Sequence, residues 1–171
     1  MSRTHEPPGI AIDLSIGCAA WKRALPMVAS IARKAAIAAL AQSGTKLGAV
    51  ELSLVLADDA TLRDLNARWR GKDAPTNVLA FASGEPPAKG KPVLLGDVVL
   101  AYQTVAREAK EQKKRLADHL RHLVIHGVLH LLGYDHIKPM PAKRMEALET
   151  RILASLGVAD PYRLRGEAGR G

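Results

Sequence analysis

The chain has 171 residues, of which 47% are hydrophobic and 25% charged, as in one folded globular domain rather than a disordered chain. Its net charge of +8 favours an anionic partner such as a nucleic acid. The single cysteine excludes an internal disulfide framework and a multi-cysteine zinc site, and 4% of aromatic residues argues against a broad base-stacking surface.

The first half of the chain alternates predicted strands and helices. In chain order we predict a strand at 10–16, a helix at 20–42, a strand at 50–56 and a helix from 58 or 59 to about 69. Both strands alternate apolar and polar residues, as half-buried strands do. The first helix has apolar residues at helical spacing, and Pro26 is expected to kink it or to reset its start.

The second half begins with a polar loop and continues with two strands and three helices. We predict strands at 78–81 and 93–101, and loops at 70–77 and 83–92. Three helices are predicted: one at 103–112, a long one that ends at 132, and one at 141–156. The run 93–101 is mostly apolar, which is typical of a strand buried on both faces. The sequence therefore predicts an α+β fold, a single domain in which helices pack on a small mixed β-sheet of about four strands.

We place that domain at 9–160, between a flexible N-terminus at 1–8 and a basic C-terminal tail at 161–171. The most apolar stretch, Ala24–Leu40, is interrupted by Arg33 and Lys34, so it does not predict a membrane span. Residues 1–8 lack the apolar segment of a secretory signal. We therefore expect a cytoplasmic protein without a membrane partner.

The most informative stretch is His126–His136, HGVLHLLGYDH. Residues four apart lie on one side of a helix, so the imidazoles of His126 and His130 can reach one ion. Gly133 can adopt the positive φ that ends a helix, which lets the chain return His136 as a third ligand. Three neutral imidazoles with an open fourth position are typical of a catalytic zinc site, where bound water has a pKa of roughly 7.

The other histidines need a separate interpretation. An isolated pair four residues apart is more often an ordinary surface or core pair, but five of the six histidines lie within 118–136, which favours a metal. His122 shares the stripe, and we interpret it as a supporting or packing residue. We expect His119 to be solvated, and Asp135 either to orient a ligand imidazole or to form a turn.

The spacing of the three histidines equals that of the metzincin proteases, HExxHxxGxxH. Gly127 stands at the position of their glutamate, and a glycine cannot take a proton from an attacking water. The residues therefore favour the metal site of a metalloprotease without its peptidase chemistry.

The same stretch closely resembles HGxLHLxGYDH, the signature of the YbeY family of bacterial endoribonucleases of rRNA maturation. Three further segments resemble family blocks: 65–81, 95–99 and 145–149. The resemblance covers roughly residues 50–162. Trp69 stands where the family usually has tyrosine, and Ala80 where it has serine.

The resemblance implies a zincin-like metal helix and one Zn²⁺ ion bound by His126, His130 and His136. It implies a single-strand-specific endoribonuclease that matures the 3′ end of 16S rRNA and acts in ribosome biogenesis and quality control. The implied partners are ribosomal RNA and the small ribosomal subunit, with a small-subunit ribosomal protein or an assembly GTPase, and no DNA. Imidazole also suits nickel, manganese and iron, so the residues themselves do not select zinc.

The resemblance also implies that Arg70 is needed for activity. A guanidinium can bind two oxygens of the pentacoordinate phosphorus formed in RNA cleavage, and Lys72 adds a second cation. The alternative is that Arg70 and Asp73 only pin the loop to each other. The nucleophile is either metal-bound water or the 2′-hydroxyl of the RNA.

Basic residues are concentrated in two segments. Residues 14–50 hold five cations and no acid, and residues 106–121 hold six cations and three acids. In the second segment, Lys113, Lys114 and Arg115 are predicted to contact RNA phosphates, through binding that weakens as salt rises. A solvated helix face is the alternative for the first segment.

Two other functions stay open at this point. The first is a peptidase or amidase on the same metal site, which needs a general base that the residues beside His126 do not supply. The second is a non-catalytic, zinc-stabilised RNA-binding factor of ribosome assembly.

Overall fold

The computed structural model describes residues 9–45, 47–86, 88–133 and 139–162, the first three of the last range by their backbone alone. The elements in chain order are β1 (Ile10–Ile16), α1 (Ala20–Ala24), α2 (Val28–Gln42), β2 (Val50–Ala57), α3 (Asp59–Arg70), β3 (Val78–Ala82), β4 (Val93–Ala101), α4 (Tyr102–Glu111), α5 (Leu116–Leu131) and α6 (Pro139–Ser155). The division of the chain into a domain at 9–160 with two terminal segments stays a prediction.

The four strands form one mixed sheet in the order β1-β2-β4-β3. β1, β2 and β4 are parallel, and β3 is antiparallel to β4. β4 is central and mostly buried, as its apolar sequence predicts. The α+β prediction with about four strands is therefore confirmed.

Helices cover both faces of the sheet. On one face, buried residues of α2, α5 and α6 pack with inward-facing residues of the strands in the larger core. On the other face, α3 packs against β3 and β4 through a smaller cluster that includes Leu62, Leu79 and Val99. α3 and α5 therefore lie on opposite faces, and the strand at the open end of the sheet, β3, runs between them.

The two outer strands each have a backbone carbonyl that accepts a hydrogen bond from an arginine. Arg33 Nη1 donates to the Ile12 carbonyl of β1 at 2.8 Å. Arg70 Nη2 donates to the Ala80 carbonyl of β3 at 3.3 Å. The second contact carries the guanidinium from the end of α3 to the free edge of the sheet.

The end of α3 is fixed by local contacts. Its N-cap is Asp58, whose carboxylate accepts from the Thr61 backbone N–H at 2.9 Å. It ends at Gly71, which has a φ of 68°, in the left-handed region that glycine adopts without strain. Beyond it, the Asn66 side chain donates to the Ala74 carbonyl at 2.9 Å and fixes the loop that leads to β3.

Most predicted boundaries lie within one residue of the observed ones, and three differences are larger. The helix predicted at 20–42 is two helices, α1 and α2, because the chain restarts after Pro26, which is the second of the two outcomes expected. The last helix begins at Pro139, two residues before the predicted Pro141. In the predicted tail, Pro161 is buried and Tyr162 is half-buried, so these two residues pack with the domain, while 163–171 lie outside the described residues. Across the described ranges, no helix is long and apolar enough to span a membrane.

Candidate active site

Four histidines lie along one side of α5, while the opposite side of the helix packs into the larger core. They are His119, His122, His126 and His130. Successive ring centroids are 6.4, 6.4 and 4.6 Å apart, so the last two rings are the closest pair. The helical spacing that predicted a shared ion for His126 and His130 is thus realised in the structure.

His126 and His130 direct their Nε2 atoms toward each other, at a separation of 3.0 Å. Two nitrogen ligands at about 2.0–2.1 Å from a tetrahedral zinc ion are roughly 3.3 Å apart, so this pair fits a shared metal. The Nδ1 atom of His126 lies 2.6 Å from Glu149 Oε1. Because a carboxylate only accepts, Nδ1 donates, which leaves the Nε2 lone pair of a neutral imidazole for a ligand.

The third predicted ligand, His136, lies outside the described residues, as does Asp135. The described chain reaches Gly133, whose φ of 92° ends the helix in the conformation that the sequence predicts. Within the described residues, no group of three side chains is placed to hold a metal ion. The ligand set of His126, His130 and His136 therefore stays a prediction.

Glu149 of α6 is a fully buried carboxylate behind the histidine pair. It accepts from His126 Nδ1, from His122 Nε2 at 2.9 Å, and from the hydroxyl of Tyr162. Burial by itself raises the pKa of this carboxyl, but the hydrogen bonds and charge of His122 and His126 outweigh it and lower the pKa to about 2. Glu149 therefore stays ionised and holds the His126 ring in one tautomer and orientation.

Sequence reasoning gave Glu149 and Tyr162 no functional role. A signal for Glu149 exists, because it shares an apolar stripe of α6 with four buried residues at helical spacing. These are Met145, Leu148, Ile152 and Leu153. A glutamate on a core-facing stripe needs buried donors, and the histidines of α5 were the available ones. Tyr162 carried no comparable signal.

The two remaining histidines of the stripe are bound to carboxylates. His122 donates through Nε2 to Glu149, which agrees with its interpretation as a supporting residue. The prediction that His119 is solvated is wrong: its side chain is 4% exposed, and Nε2 donates to Glu108 at 3.0 Å. Glu108 also accepts from Asn77 Nδ2 at 3.0 Å. The sequence alone could not reveal the glutamate of α4 that covers His119.

A cleft of about 430 Å³ brings Arg70 and Lys72 together with His126 and His130. Its walls are the loop after α3, the free edge of β3 and the histidine side of α5. Asp73 does not contact Arg70. It pairs with Arg63, whose Nε lies 2.8 Å from its carboxylate, so the alternative in which Arg70 and Asp73 only pin the loop is wrong.

Gly127 also lines the cleft, at the point where α5 approaches the sheet most closely. A Cβ atom at this position would lie 2.6 Å from Val98 Cγ1 on β4. The position corresponding to the metzincin glutamate therefore faces the packed sheet and has no room for a side chain. This agrees with the absence of peptidase chemistry that the sequence predicts.

The three other predicted RNA contacts lie away from this cleft. Lys113, Lys114 and Arg115 occupy the turn between α4 and α5, roughly 22 Å along the helix axis from His130 at about 1.5 Å per residue. Lys114 Nζ donates to the Pro161 carbonyl at 3.4 Å, and Arg115 pairs with Asp118 at 2.9 Å. Their contact with RNA stays a prediction.

The sequence model of one family, endoribonuclease YbeY, matches residues 19–157. A protein of Paramagnetospirillum magneticum named endoribonuclease YbeY is 55% identical over 157 residues, which cover 90% of this chain and 96% of that one. The chain belongs to the YbeY endoribonuclease family. The resemblance drawn from the histidine stretch is therefore confirmed.

A second YbeY relative, from Methylocella silvestris, is 49% identical over 88% of this chain and 85% of its own. The fold is also similar to the solution structure of TM1509 from Thermotoga maritima, with a TM-score of 0.54 and 23% identity over 95% of each chain. At that identity the likeness concerns the fold alone. It agrees with the mixed sheet and the packed helices described above.

Proposed function

We propose that this chain is a zinc-dependent, single-strand-specific endoribonuclease that acts on ribosomal RNA through the cleft between Arg70 and the histidines of α5. Membership in the YbeY family makes it a metal-dependent endoribonuclease of rRNA processing, which hydrolyses RNA phosphodiester bonds. Maturation of the 3′ end of 16S rRNA is consistent with the family. The observation that carries the proposal is the juxtaposition of two cations with two facing imidazoles in one cleft.

His126 and His130 would hold the metal ion, with His136 as the third ligand. A metal ion bound there would act as a Lewis acid, which would polarise a phosphodiester oxygen and lower the pKa of water. Zinc is our assignment because three neutral imidazoles with an open position suit it. Glu149 supports a metal ion at this position, since its hydrogen bond to His126 Nδ1 gives the ring the tautomer in which Nε2 is available as a ligand.

Arg70 binds and stabilises the phosphate that reacts. One of its N–H groups donates to the Ala80 carbonyl, which holds the guanidinium at the rim of the cleft and leaves other donors for phosphate oxygens. The negative charge on those oxygens increases in the transition state, so a positioned guanidinium stabilises that state more than the bound substrate. Lys72 adds a second positive charge at the same rim. The nucleophile is water or the 2′-hydroxyl of the RNA, and both fit this arrangement.

The partner that we propose is single-stranded RNA of the small ribosomal subunit in the cytoplasm. A small-subunit ribosomal protein or an assembly GTPase would bring the enzyme to its cleavage site, and DNA is not expected as a substrate. Lys113, Lys114 and Arg115 would add phosphate contacts beyond the cleft. The net charge of +8 supports an anionic partner of this kind.

The decisive experiment measures cleavage of a ribosomal precursor RNA by the wild type, Arg70→Ala and His130→Ala, with and without a chelator. We expect the chelator to abolish cleavage and both variants to lose about 100-fold or more in rate, the magnitude typical of a transition-state donor. Arg70→Ala should keep its fold and its metal, because Arg70 is exposed and is not a ligand. Arg68→Ala is the matched control, because Arg68 lies on the same helix and pairs with Asp64.

Undiminished cleavage by both variants would refute the mechanism. If the protein instead cleaves a peptide library, the alternative function of a peptidase on the same metal site would be supported. If the metal-loaded wild type binds RNA but does not cleave it, the alternative of a non-catalytic ribosome assembly factor would be supported. Less than about half an equivalent of any transition metal after gentle purification would contradict the metal site.

A further inference from the structure

Trp69 is the most exposed large hydrophobic side chain of the described residues. It is 71% exposed, although it lies next to Arg70 in the last turn of α3. An indole in water contributes little to the hydrophobic core, so Trp69 presents a free aromatic face to a ligand. The other tryptophan, Trp21, is fully buried.

The Trp69 ring is held in place although it is exposed. It contacts Phe81 of β3 edge to face, with ring centroids 6.5 Å apart and an interplanar angle of 60°. The Arg70 guanidinium carbon lies 5.8 Å from the centroid of the same Phe81 ring. Trp69, Phe81 and Arg70 therefore form one contiguous group of three planar side chains, in which Phe81 supports both neighbours.

Arg70 connects this planar group of Trp69, Phe81 and Arg70 to the cleft described above, because Arg70 lines the cleft while Phe81 packs with the α3 cluster on the other face of the sheet. Arg70 and Lys72 line that cleft, and in the described part of the chain neither forms an ion pair with a carboxylate. Their charges are therefore available to phosphate groups of a ligand. Because the Arg70 guanidinium carbon lies 5.8 Å and the Trp69 centroid 6.5 Å from the centroid of the same Phe81 ring, a nucleotide whose phosphate binds Arg70 at the rim can place an adjacent base on the indole.

We propose that Trp69 is a base-stacking site for an unpaired RNA nucleobase adjacent to the phosphate bound by Arg70, an inference that rests on the proposed endoribonuclease function. Every base has a π-face, so the stacking tolerates any sequence. In a duplex the base faces are covered by neighbouring base pairs, so Trp69 binds only unpaired segments. The site thus gives the enzyme a physical basis for acting on single strands.

The test uses the intrinsic fluorescence of the full-length protein. Because Trp21 is buried and contacts Tyr102, a nucleic acid that reaches only the surface changes the emission of Trp69 alone. The ligands are a single-stranded 2′-O-methyl RNA decamer, which lacks the 2′-hydroxyl, and the same decamer with abasic positions. We expect the decamer to quench the emission strongly and the abasic decamer to quench it weakly, since both carry the same phosphates.

Substitutions provide a second measurement. One base–aromatic stack of about 1–3 kcal/mol corresponds to a roughly 5- to 150-fold weaker Kd for the decamer in Trp69→Ala, and Trp69→Phe should retain most of the affinity. Met27→Ala is the matched control, because Met27 is also strongly exposed and does not line the cleft. Thermal melts of Trp69→Ala should match the wild type, since the side chain contributes little burial.

The outcomes separate this inference from the function on which it rests. If the wild type cleaves precursor RNA and Trp69→Ala binds the decamer as tightly as the wild type, the stacking site is refuted and the endoribonuclease stands. If the wild type neither binds nor cleaves single-stranded RNA, the proposed function itself fails. Equal quenching by the intact and the abasic decamer would also overturn the stacking site.

Discussion

Glu149 shows how one buried charge can organise the histidines of the candidate active site. Its two carboxylate oxygens accept from donors on two elements of the fold, α5 and the segment after α6. Because the carboxylate is fully buried and its pKa is about 2, it stays ionised at neutral pH. It therefore fixes which nitrogen of His126 donates and which one is available as a ligand atom.

We predict that Glu149→Gln weakens metal affinity about 10- to 100-fold, the usual effect of removing a partner behind a ligand histidine. The amide keeps the size of the side chain but loses the charge and one acceptor. Competitive titration with a chromogenic chelator measures the affinity. Glu146→Gln, one turn earlier on α6, should leave the affinity unchanged, and equal affinities in all three proteins would contradict the role of Glu149.

At the scale of single residues, the sequence predicted the relative positions of side chains where these follow from helical spacing. His126 and His130 meet as expected, because four residues separate them on one helix. Glu149 and Tyr162 could not be assigned in the same way, because their contacts with α5 join segments that are distant in the chain. His119 was misread for the same reason, since its partner Glu108 belongs to another helix.

Among the elements, α5 and β4 lie unusually close at Gly127. The Cβ of any other residue would meet both Cγ atoms of Val98, at 2.6 and 3.2 Å. Valine is branched at Cβ and cannot move its methyl groups aside as a long side chain can. The glycine therefore sets the distance between the histidine helix and the sheet that forms the floor of the cleft.

We predict that Gly127→Ala destabilises the protein, because overpacking costs about 1–3 kcal/mol and the gain in helix propensity is about 1 kcal/mol. In a Val98→Ala background, which lacks both clashing methyl groups, the same change should be neutral or stabilising. Urea unfolding of the four proteins measures this reversal. An equal loss of stability in both backgrounds would show that packing against Val98 is not the cause.

Element types were predicted better than their arrangement. Alternation and helical periodicity predicted the strands and most helices, because these are local properties of the chain. The order β1-β2-β4-β3 could not be predicted, since strand pairing depends on contacts between distant segments. That order places β3 at the free edge, and only there can Arg70 of α3 and the histidines of α5 share one cleft.

For the whole molecule, stability in acid depends on carboxylates that join several elements. Glu108 of α4 accepts from His119 of α5 and from Asn77, just before β3. Burial raises the pKa of Glu108, but these hydrogen bonds outweigh it, and the pKa lies below its ordinary value of 4.5. The folded state therefore binds this proton less readily than the unfolded chain does, and the ionised carboxylate stabilises folding.

We predict that Glu108→Gln lowers Tm by about 3–10 °C at pH 7, because a hydrogen-bonded charge is lost. The stabilisation is complete above the unfolded pKa of about 4.5 and is lost as the pH falls through the lower folded value. The difference in Tm between wild type and variant should therefore shrink below pH 4.5. Melting curves from pH 7 to pH 3 measure it, with exposed Glu111→Gln as the control, and a difference that is constant with pH would contradict the linkage.

The two helix arginines that donate hydrogen bonds to the outer strands affect how two copies of the chain can associate. Arg33 occupies a carbonyl of β1, and Arg70 occupies a carbonyl of β3. A strand from a second copy would have to displace a charged side chain before it could pair with either edge strand. The sheet therefore resists the edge-to-edge pairing that leads to aggregation. Arg70 thereby protects one edge of the sheet from pairing with a second copy, in addition to its place at the cleft.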